Sequence, residues 1–454
     1  MNFSKFKHNL AIYSAKITLK LLNLTGRSGT ALPGKVAVTI DPQILKEINK
    51  KCKKIIFVTG TNGKTTTNNL TYHILNEKDN NIISNLKGAN MPSGIISAYI
   101  RNTKEKYDYG IFEIDEGSLR EIITLLKPDY FIITNFFRDQ LDRYGELELT
   151  VKEVYDSVKT SPDTNLILNI DDPYVNQFKK LTKNITTFSV DLNEESKKKF
   201  SEKHINTSLI LKNCPECGGK LEYNHINYGH VGNYYCTICD NKKENADFTV
   251  TDVTPKNSKQ ELTIKHENKN YKINNPYPGL YNVYNVCGVF SLCNKLGIKN
   301  EKIIERTEDF KFALGRIEEM TYKGKKIVII LTKNPVGLSE SVELISKDEN
   351  SKIVVHILND NSADGRDISW IWDGNTKYNN KETIEKYYCS GKRAEEIALK
   401  VNYDGIDQSK LIINDNIYKT LDVAIKEDVD VIYVLSTYTT IFITRDYLEK
   451  IVKT

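Results

Sequence analysis

Apolar positions along this chain fall into short runs separated by segments of helical spacing. Ile55–Val58 is an uninterrupted apolar run of strand length, and Asn68–Leu75 beyond it carries helical spacing. The alternation continues with strand-like runs at Asn81–Ser84, Tyr109–Ile114, Tyr130–Thr134 and Leu166–Asn169. From about Arg316 it resumes at Lys326–Leu331, Lys352–Leu358, Lys386–Cys389, Lys410–Ile413 and Val429–Leu435. Strands alternating with helices predict an α/β chain, with a first parallel sheet covered on both faces and a second parallel sheet after it. Ligands of such sheets sit beyond the carboxyl ends of the strands.

Ahead of the first strand, Phe6, Leu10, Tyr13, Ile17, Leu21 and Leu24 recur at steps of three and four, with Lys5, Lys7, Lys16 and Lys20 among them. This predicts a basic amphipathic helix. Its apolar stripe suits the protein's own core, the commoner fate of such a face, or a membrane surface. Gly26 and the segment Gly29–Gly34 then make a turn-rich link to the first strand.

A chain of 454 residues has room for two or three domains. The 64 basic residues face 59 acidic ones, so the net charge of +5 creates no strong field for nucleic acid, and none is expected as a partner. No signal peptide is read at the N-terminus and no apolar run is long enough to span a bilayer. Four of the eight cysteines lie in two CxxC pairs and four are scattered, which suits a reducing compartment better than a disulfide framework. A cytoplasmic location is therefore expected.

The strand-to-helix junction carries Gly60-Thr61-Asn62-Gly63-Lys64-Thr65-Thr66-Thr67. Glycines let backbone N–H groups turn toward a phosphate chain, and the helix N-terminus adds its positive dipole end. Lys64 is placed to reach the terminal phosphates of such a chain and the Thr65 hydroxyl to ligate Mg2+. Only two residues separate the glycines, so the spacing differs from the general GxxxxGK[ST] loop. Glu113, Asp115 and Glu116 lie at the end of another strand, where a carboxylate could hold the same Mg2+ or stand near an acyl acceptor. Thr134–Gly145 (TNFFRDQLDRYG) and Asn169–Asp172 (NIDD) are further polar clusters at strand ends.

Cys214 and Cys217 are separated by eighteen residues from Cys236 and Cys239. This is the spacing of a tetrathiolate ribbon, predicting Zn2+ held by all four cysteines with no open position for catalysis. His225 and His230 could substitute as ligands, but four correctly spaced cysteines leave them no role at the ion. Leu358–Asp373 is a polar loop with four aspartates that ends on the chain's two tryptophans. Cys52, Cys287, Cys293 and Cys389 have no glycine-flanked elbow, so no nucleophile is expected in this chain.

In their order, Gly60–Thr67, Thr134–Gly145, Asn169–Asp172, Gly279–Asn285 (GLYNVYN) and Gly315–Glu318 (GRIE) resemble the Mur ligases and folylpolyglutamate synthases. The resemblance covers nearly everything after residue 50. It implies an ATP-dependent amide-forming enzyme that activates a carboxylate as an acyl phosphate. It also implies an ATP site of Gly60, Thr61, Asn62, Gly63, Lys64, Thr65 and Thr66, with Asn282 and Asn285 beside the adenine and Arg316 near the phosphates. Thr65 and Glu113 would hold Mg2+, with Lys64 and Glu113 catalytic.

Departures from the ordinary ligases narrow this reading. Gln140 stands where those usually have histidine, Val154 stands at the carbamylated lysine, and Ile330–Pro335 lacks the usual aspartate and histidine. About fifty residues before the phosphate loop are too few for a UDP-sugar domain. Thr332–Gly337 (TKNPVG), Leu358–Asp373 and Cys389–Glu396 (CSGKRAEE) instead resemble an amidotransferase branch of the superfamily. That likeness implies a GatD-like glutaminase partner that supplies ammonia, and lipid II as substrate at the inner face of the cytoplasmic membrane. The α-carboxylate of D-glutamate in the stem peptide would become D-isoglutamine. Asp367 would be catalytic by completing the partner's Cys-His pair.

The implied organisation is an N-terminal helix and linker over residues 1–48, then a Mur ligase-like ATP-binding domain over 49–313 with the zinc ribbon inserted at about 205–248. A Rossmann-like α/β domain over 314–454 would dock the glutaminase. Two alternatives stand beside this expectation: a stand-alone amino-acid ligase, and a non-catalytic ATP-gated module whose ribbon docks a protein or nucleic acid.

Overall fold

A computed structural model describes residues 3–24, 29–86, 89–138, 146–200, 211–256, 259–311, 317–361, 363–379 and 381–453. They fall into two compact units: the larger holds nearly all residues up to Lys311, and the smaller holds those from Ile317 on together with 137, 138, 146 and 147.

The larger unit is built on β1 (Cys52–Thr59), β2 (Ile82–Ser84), β3 (Tyr107–Glu113), β4 (Tyr130–Ile133), β5 (Asn165–Asn169) and β6 (Ile185–Val190), all parallel. A hairpin of β7 (Leu221–Tyr228) and β8 (Val231–Cys236) forms a separate small sheet. β9 (Phe248–Lys256), β10 (Lys259–His266) and β11 (Lys269–Asn275) then extend the main sheet, β9 pairing parallel with β6 and the other two antiparallel. The nine strands run in the order β11-β10-β9-β6-β5-β4-β1-β3-β2. β1 lies centrally with Ile55 to Val58 buried, as a continuous apolar run in a sheet covered on both faces requires.

Helices precede β1. α1 (Phe3–Leu24) packs on α2 (Leu32–Ile40) and α5 (Pro92–Arg101), while α3 (Ile44–Lys51) leads into β1 and α4 (Lys64–Leu75) leaves the glycine loop. The periodic stripe of α1 is not the face that packs. Ala11 and Ala15 are fully buried, whereas Phe6, Leu10, Tyr13, Ile17, Leu21 and Leu24 are exposed, Tyr13 by 67% and Leu24 by 77%. Small side chains let α1 approach its neighbours closely, and the bulky stripe is left outside. The expectation that this stripe joins the protein's own core is thereby overturned.

The smaller unit holds β12 (Ile317–Tyr322), β13 (Lys325–Leu331), β14 (Lys352–Ile357), β15 (Ile384–Ser390), β16 (Leu411–Asn414) and β17 (Val431–Ser436) in the order β12-β13-β17-β14-β15-β16. The sheet is not wholly parallel: β12 and β13 form an antiparallel hairpin at one edge. A connection of only Lys323 and Gly324 between them, both at positive φ, has no room for a parallel crossover. The other five strands are parallel, with apolar clusters on both faces.

Candidate nucleotide site and cysteine cluster

Beyond the carboxyl end of β1 the chain turns through Gly60 at φ 120° and Gly63 at φ 86°, then enters α4 at Lys64. Side chains are sterically excluded at both glycines. A Cβ on Gly60 would lie 2.3 Å from Thr134 Oγ1, and one on Gly63 would lie 2.2 Å from Asn285 Oδ1. The loop's shape is fixed from outside: Thr61 N donates to Asn135 O at 2.8 Å, Asn62 N to Asn135 Oδ1 at 2.9 Å, and Thr134 Oγ1 to Asn62 O at 2.7 Å. Thr134 and Asn135 therefore act as a brace under the loop. The TN motif signalled that these residues matter, but a partnership across more than seventy residues is not written in local spacing.

Lys64 is almost fully buried and curls over the loop, with Nζ 2.5 Å from Gly60 O and 3.0 and 3.1 Å from the two oxygens of Glu116. Burial pushes the Glu116 carboxyl above its ordinary range, and Lys64 offsets part of that rise. Glu113, at the end of β3, is also buried; its backbone N–H and carbonyl are both held by the Asn85 side chain, at 2.9 and 2.8 Å. Among the described residues its Oε2 has no hydrogen-bond partner, and neither do Asn282 Oδ1 and Asn285 Nδ2. Asn285 Oδ1 accepts from Thr67 Oγ1 at 3.5 Å, so the N-terminal parts of α4 and of the helix Leu280–Lys295 adjoin. A glycine cradle, a lysine, a helix N-terminus and orphaned buried polar atoms fit a nucleotide phosphate chain and its divalent ion. Thr65 is half-buried and Thr66 buried in the first turn of α4. Arg316 lies outside the described residues, as do Asp139 to Gly145 with Gln140 among them.

The four cysteine sulfurs converge, all within 4.8 Å of one another. Cys214 Sγ lies 3.7 Å from Cys239 Sγ, and Cys217 Sγ lies 3.5 Å from Cys236 Sγ. Four thiolates around one zinc at about 2.3 Å place sulfurs about 3.8 Å apart, so the cluster fits a tetrahedral ion. Backbone N–H groups of Cys239 and Ile238 bond the Cys236 sulfur and bring its thiol down to about 7. Asn241 Nδ2 donates to Cys214 Sγ at 3.3 Å. His225 and His230 are not in the cluster; His230 Nε2 faces Asp172 Oδ1 at 3.4 Å.

A buried network ties this hairpin to the main sheet. Asp171 Oδ2 accepts from Tyr284 Oη at 2.6 Å and from Val190 N at 2.8 Å, and Lys243 Nζ lies 3.1 Å from Asp171 Oδ1. Asn227 of β7 donates to Tyr284 Oη at 2.6 Å. Tyr284 sits between Asn282 and Asn285 on one helix, so the ribbon and the candidate adenine side share a support.

In the smaller unit, the loop after β14 is pinned by Asp364, whose carboxylate accepts from Thr439 N at 2.6 Å and Thr439 Oγ1 at 2.5 Å. Asp360 pairs with Arg393 at 2.9 Å. Asp367 is only half-buried and accepts from Ser369 N at 2.8 Å and Ser369 Oγ at 3.0 Å. Of the three, Asp364 ties the loop to Thr439, and Asp367 bonds a residue two positions on in its own loop.

Residues 58–234 match the family described as Mur ligase middle domain, and residues 331–441 match MurT ligase C-terminal. The chain is 35% identical over 411 residues to the lipid II isoglutaminyl synthase (glutamine-hydrolyzing) subunit MurT of Staphylococcus aureus, covering 90% of each chain. It is 33% identical to the subunit of that name from Streptococcus pneumoniae, covering 97% of each. Among solved structures, a pseudomurein peptide ligase type C from Methanothermus fervidus superposes with a TM-score of 0.68 at 23% identity, covering 90% of this chain and 80% of that one. A MurF ligase from Thermotoga maritima, solved in complex with ADP, superposes with a TM-score of 0.63 at 14% identity, covering 92% and 84%. These two show the fold.

Proposed function

The chain belongs to the MurT family of Mur ligase-like proteins, ATP-dependent ligases of peptidoglycan synthesis, and on that premise we propose that it is the synthetase subunit of a glutamine-hydrolysing lipid II isoglutaminyl synthase. The observation that carries this reading is a match running along nine-tenths or more of both partners' lengths. A stand-alone amino-acid ligase is not favoured, because those full-length relatives are subunits of a glutamine-hydrolysing synthase.

In the proposed reaction an α-carboxylate oxygen of D-glutamate attacks the γ-phosphorus of ATP, and the bond to ADP breaks. Ammonia then attacks the acyl carbon, phosphate leaves with the C–O bonding electrons, and nitrogen loses a proton. A carboxylate has no usable leaving group in water, so activation must come first. Gly60 to Thr66 would cradle the phosphates, with Lys64 released from Glu116 to meet the charge that develops on them. Mg2+ on Thr65 and Glu113 would neutralise phosphate charge; the orphaned Glu113 Oε2 supports that role. Asn282 and Asn285 are assigned to the adenine side, and Arg316 to the phosphates. Zn2+ on Cys214, Cys217, Cys236 and Cys239 would be structural, its four ligands leaving no open position.

Ammonia would come from a GatD-like glutaminase docked on residues 314–454, with Asp367 orienting the partner's histidine. In this reading residues 49–313 form the ATP-binding domain with its ribbon at about 205–248, residues 1–48 precede it, and the enzyme works at the inner membrane face. No helix among the described residues is long and apolar enough to cross a membrane.

The test is mass spectrometry of lipid II incubated with the chain, ATP and Mg2+, given either ammonium salt or glutamine with the glutaminase. Amidation lowers the product mass by about one dalton and should disappear in Lys64→Ala. Absence of amidated product with both nitrogen sources overturns the proposal.

A further inference from the structure

We propose that α1 docks the enzyme on an anionic lipid bilayer, lying in the interface with Phe6, Leu10, Tyr13, Ile17, Leu21 and Leu24 directed into it. At 3.6 residues per turn, Ala11, Ala15 and Leu22 share one side of the helix and the six exposed residues share the opposite one. The helix is thus held to the protein by its small-residue face, aided by His8 Nδ1 at 3.0 Å from Asp41 Oδ2. An unbroken apolar row about 27 Å long, at 1.5 Å per residue from Phe6 to Leu24, is left exposed.

Charge identifies the occupant. Phe3–Leu24 contains no acidic residue, and Lys7, Lys16 and Lys20 are exposed. Lys16 and Lys20 border one side of the apolar row and Lys7 the other, the arrangement of a helix that lies in a headgroup layer. A second copy of the same helix would bring like charges together, whereas an anionic surface complements them.

The position of α1 gives this contact a use. α1 rests on α5, and the residues leading into α5 touch the acidic cluster: Asn85 Nδ2 donates to Ala89 O at 2.9 Å, and Asp115 N donates to Asn90 O at 3.0 Å. A helix held at the membrane is thereby one helical layer from the strand end carrying Glu113, where a lipid-linked carboxylate is to be activated. This inference rests on the proposed amidation of lipid II.

The test is cosedimentation of the full chain, assembled with its glutaminase, with vesicles of phosphatidylcholine alone or mixed with phosphatidylglycerol. Three lysines near an anionic surface contribute about fivefold each, so partitioning should rise by roughly a hundredfold with phosphatidylglycerol and fall with salt. Leu10→Glu/Ile17→Glu should reduce it by roughly tenfold or more, while Leu149→Glu, on an exposed helix elsewhere, should not. The double variant should amidate detergent-dissolved lipid II at the normal rate and vesicle-embedded lipid II poorly. Equal sedimentation of wild type and double variant overturns the docking. So does loss of self-association or of glutaminase binding in the variant with no lipid binding by the wild type. If wild type fails on detergent-dissolved lipid II, it is the amidation reading that falls.

Discussion

Lys64 Nζ sits 3.0 Å from Glu116 Oε1, an ion pair whose two side chains are 7% and 6% exposed. Removing one partner of a buried pair strands the other, at a cost of about 3–5 kcal/mol, whereas removing both relieves the problem. Lys64→Met and Glu116→Gln should therefore each lower stability, and the double variant should lie well above the sum of the two losses in urea unfolding. Burial already raises the Glu116 pKa and Lys64 lowers it, so without Lys64 the carboxyl titrates higher still. The folded state then holds a proton that the unfolded state releases, so the Lys64→Met deficit should grow from pH 5 to pH 8. Additive, pH-independent losses would refute this account.

The cysteine cluster predicts one zinc per chain by elemental analysis, falling to near zero in Cys214→Ser/Cys239→Ser. Zinc sites in small domains contribute about 10 kcal/mol or more, so the hairpin β7–β8 should lose hydrogen-exchange protection with the metal. Tyr284 receives the Asn227 hydrogen bond from that hairpin and lies between Asn282 and Asn285. Loosening the hairpin should therefore raise KM for ATP more than it lowers kcat. An unchanged KM in zinc-free protein would separate the ribbon from the nucleotide site.

The phosphate loop was legible because glycine spacing, strand and helix signals are local. The choice of Lys64's partner was not, since Glu113, Asp115 and Glu116 lie within four residues. The structure separates them through the end of β3 at Glu113 and a short turn of helix at Glu116–Ser118. The α1 stripe shows a different limit. Periodicity marks an apolar face but not whether that face packs, and here the buried contacts run through Ala11 and Ala15, which carry little hydrophobic signal. The antiparallel β12 was missed for a related reason. Ile317–Tyr322 (IEEMTY) carries no apolar run to mark it as a strand, and the two-residue turn at Lys323 and Gly324 makes its pairing with β13 antiparallel.

Asp367 and Asp364 belong to one loop and should behave differently. Asp367→Asn should reduce glutamine-driven amidation by roughly a thousandfold or more, as losing an orienting carboxylate does, while leaving ammonia-driven amidation intact. Asp364→Asn loosens the hold on Thr439 and should lower melting temperature and both activities together. Equal loss of both nitrogen sources in a stably folded Asp367→Asn would remove Asp367 from the glutaminase reaction.

His356 adds to the acid sensitivity of the smaller unit. It lies on β14, an interior strand, fully buried, with Nδ1 3.0 Å from Tyr387 Oη and that hydroxyl 3.2 Å from Tyr378 Oη. Burial lowers its pKa from 6.5 to about 3. In the unfolded chain the ring takes a proton near 6.5, and in the folded chain it does not until far lower. Between those values the unfolded state binds more protons, so stability present above pH 6.5 is lost as pH falls toward 3. The loss should approach about 1.4 kcal/mol per pH unit. His356→Gln keeps a polar partner for Tyr387 but removes the titration, so its unfolding free energy should vary less steeply between pH 7 and pH 5 than the wild type's. Parallel curves would mean that the ring is reached by protons in the folded state, and that the core around β14 opens more readily than its packing implies.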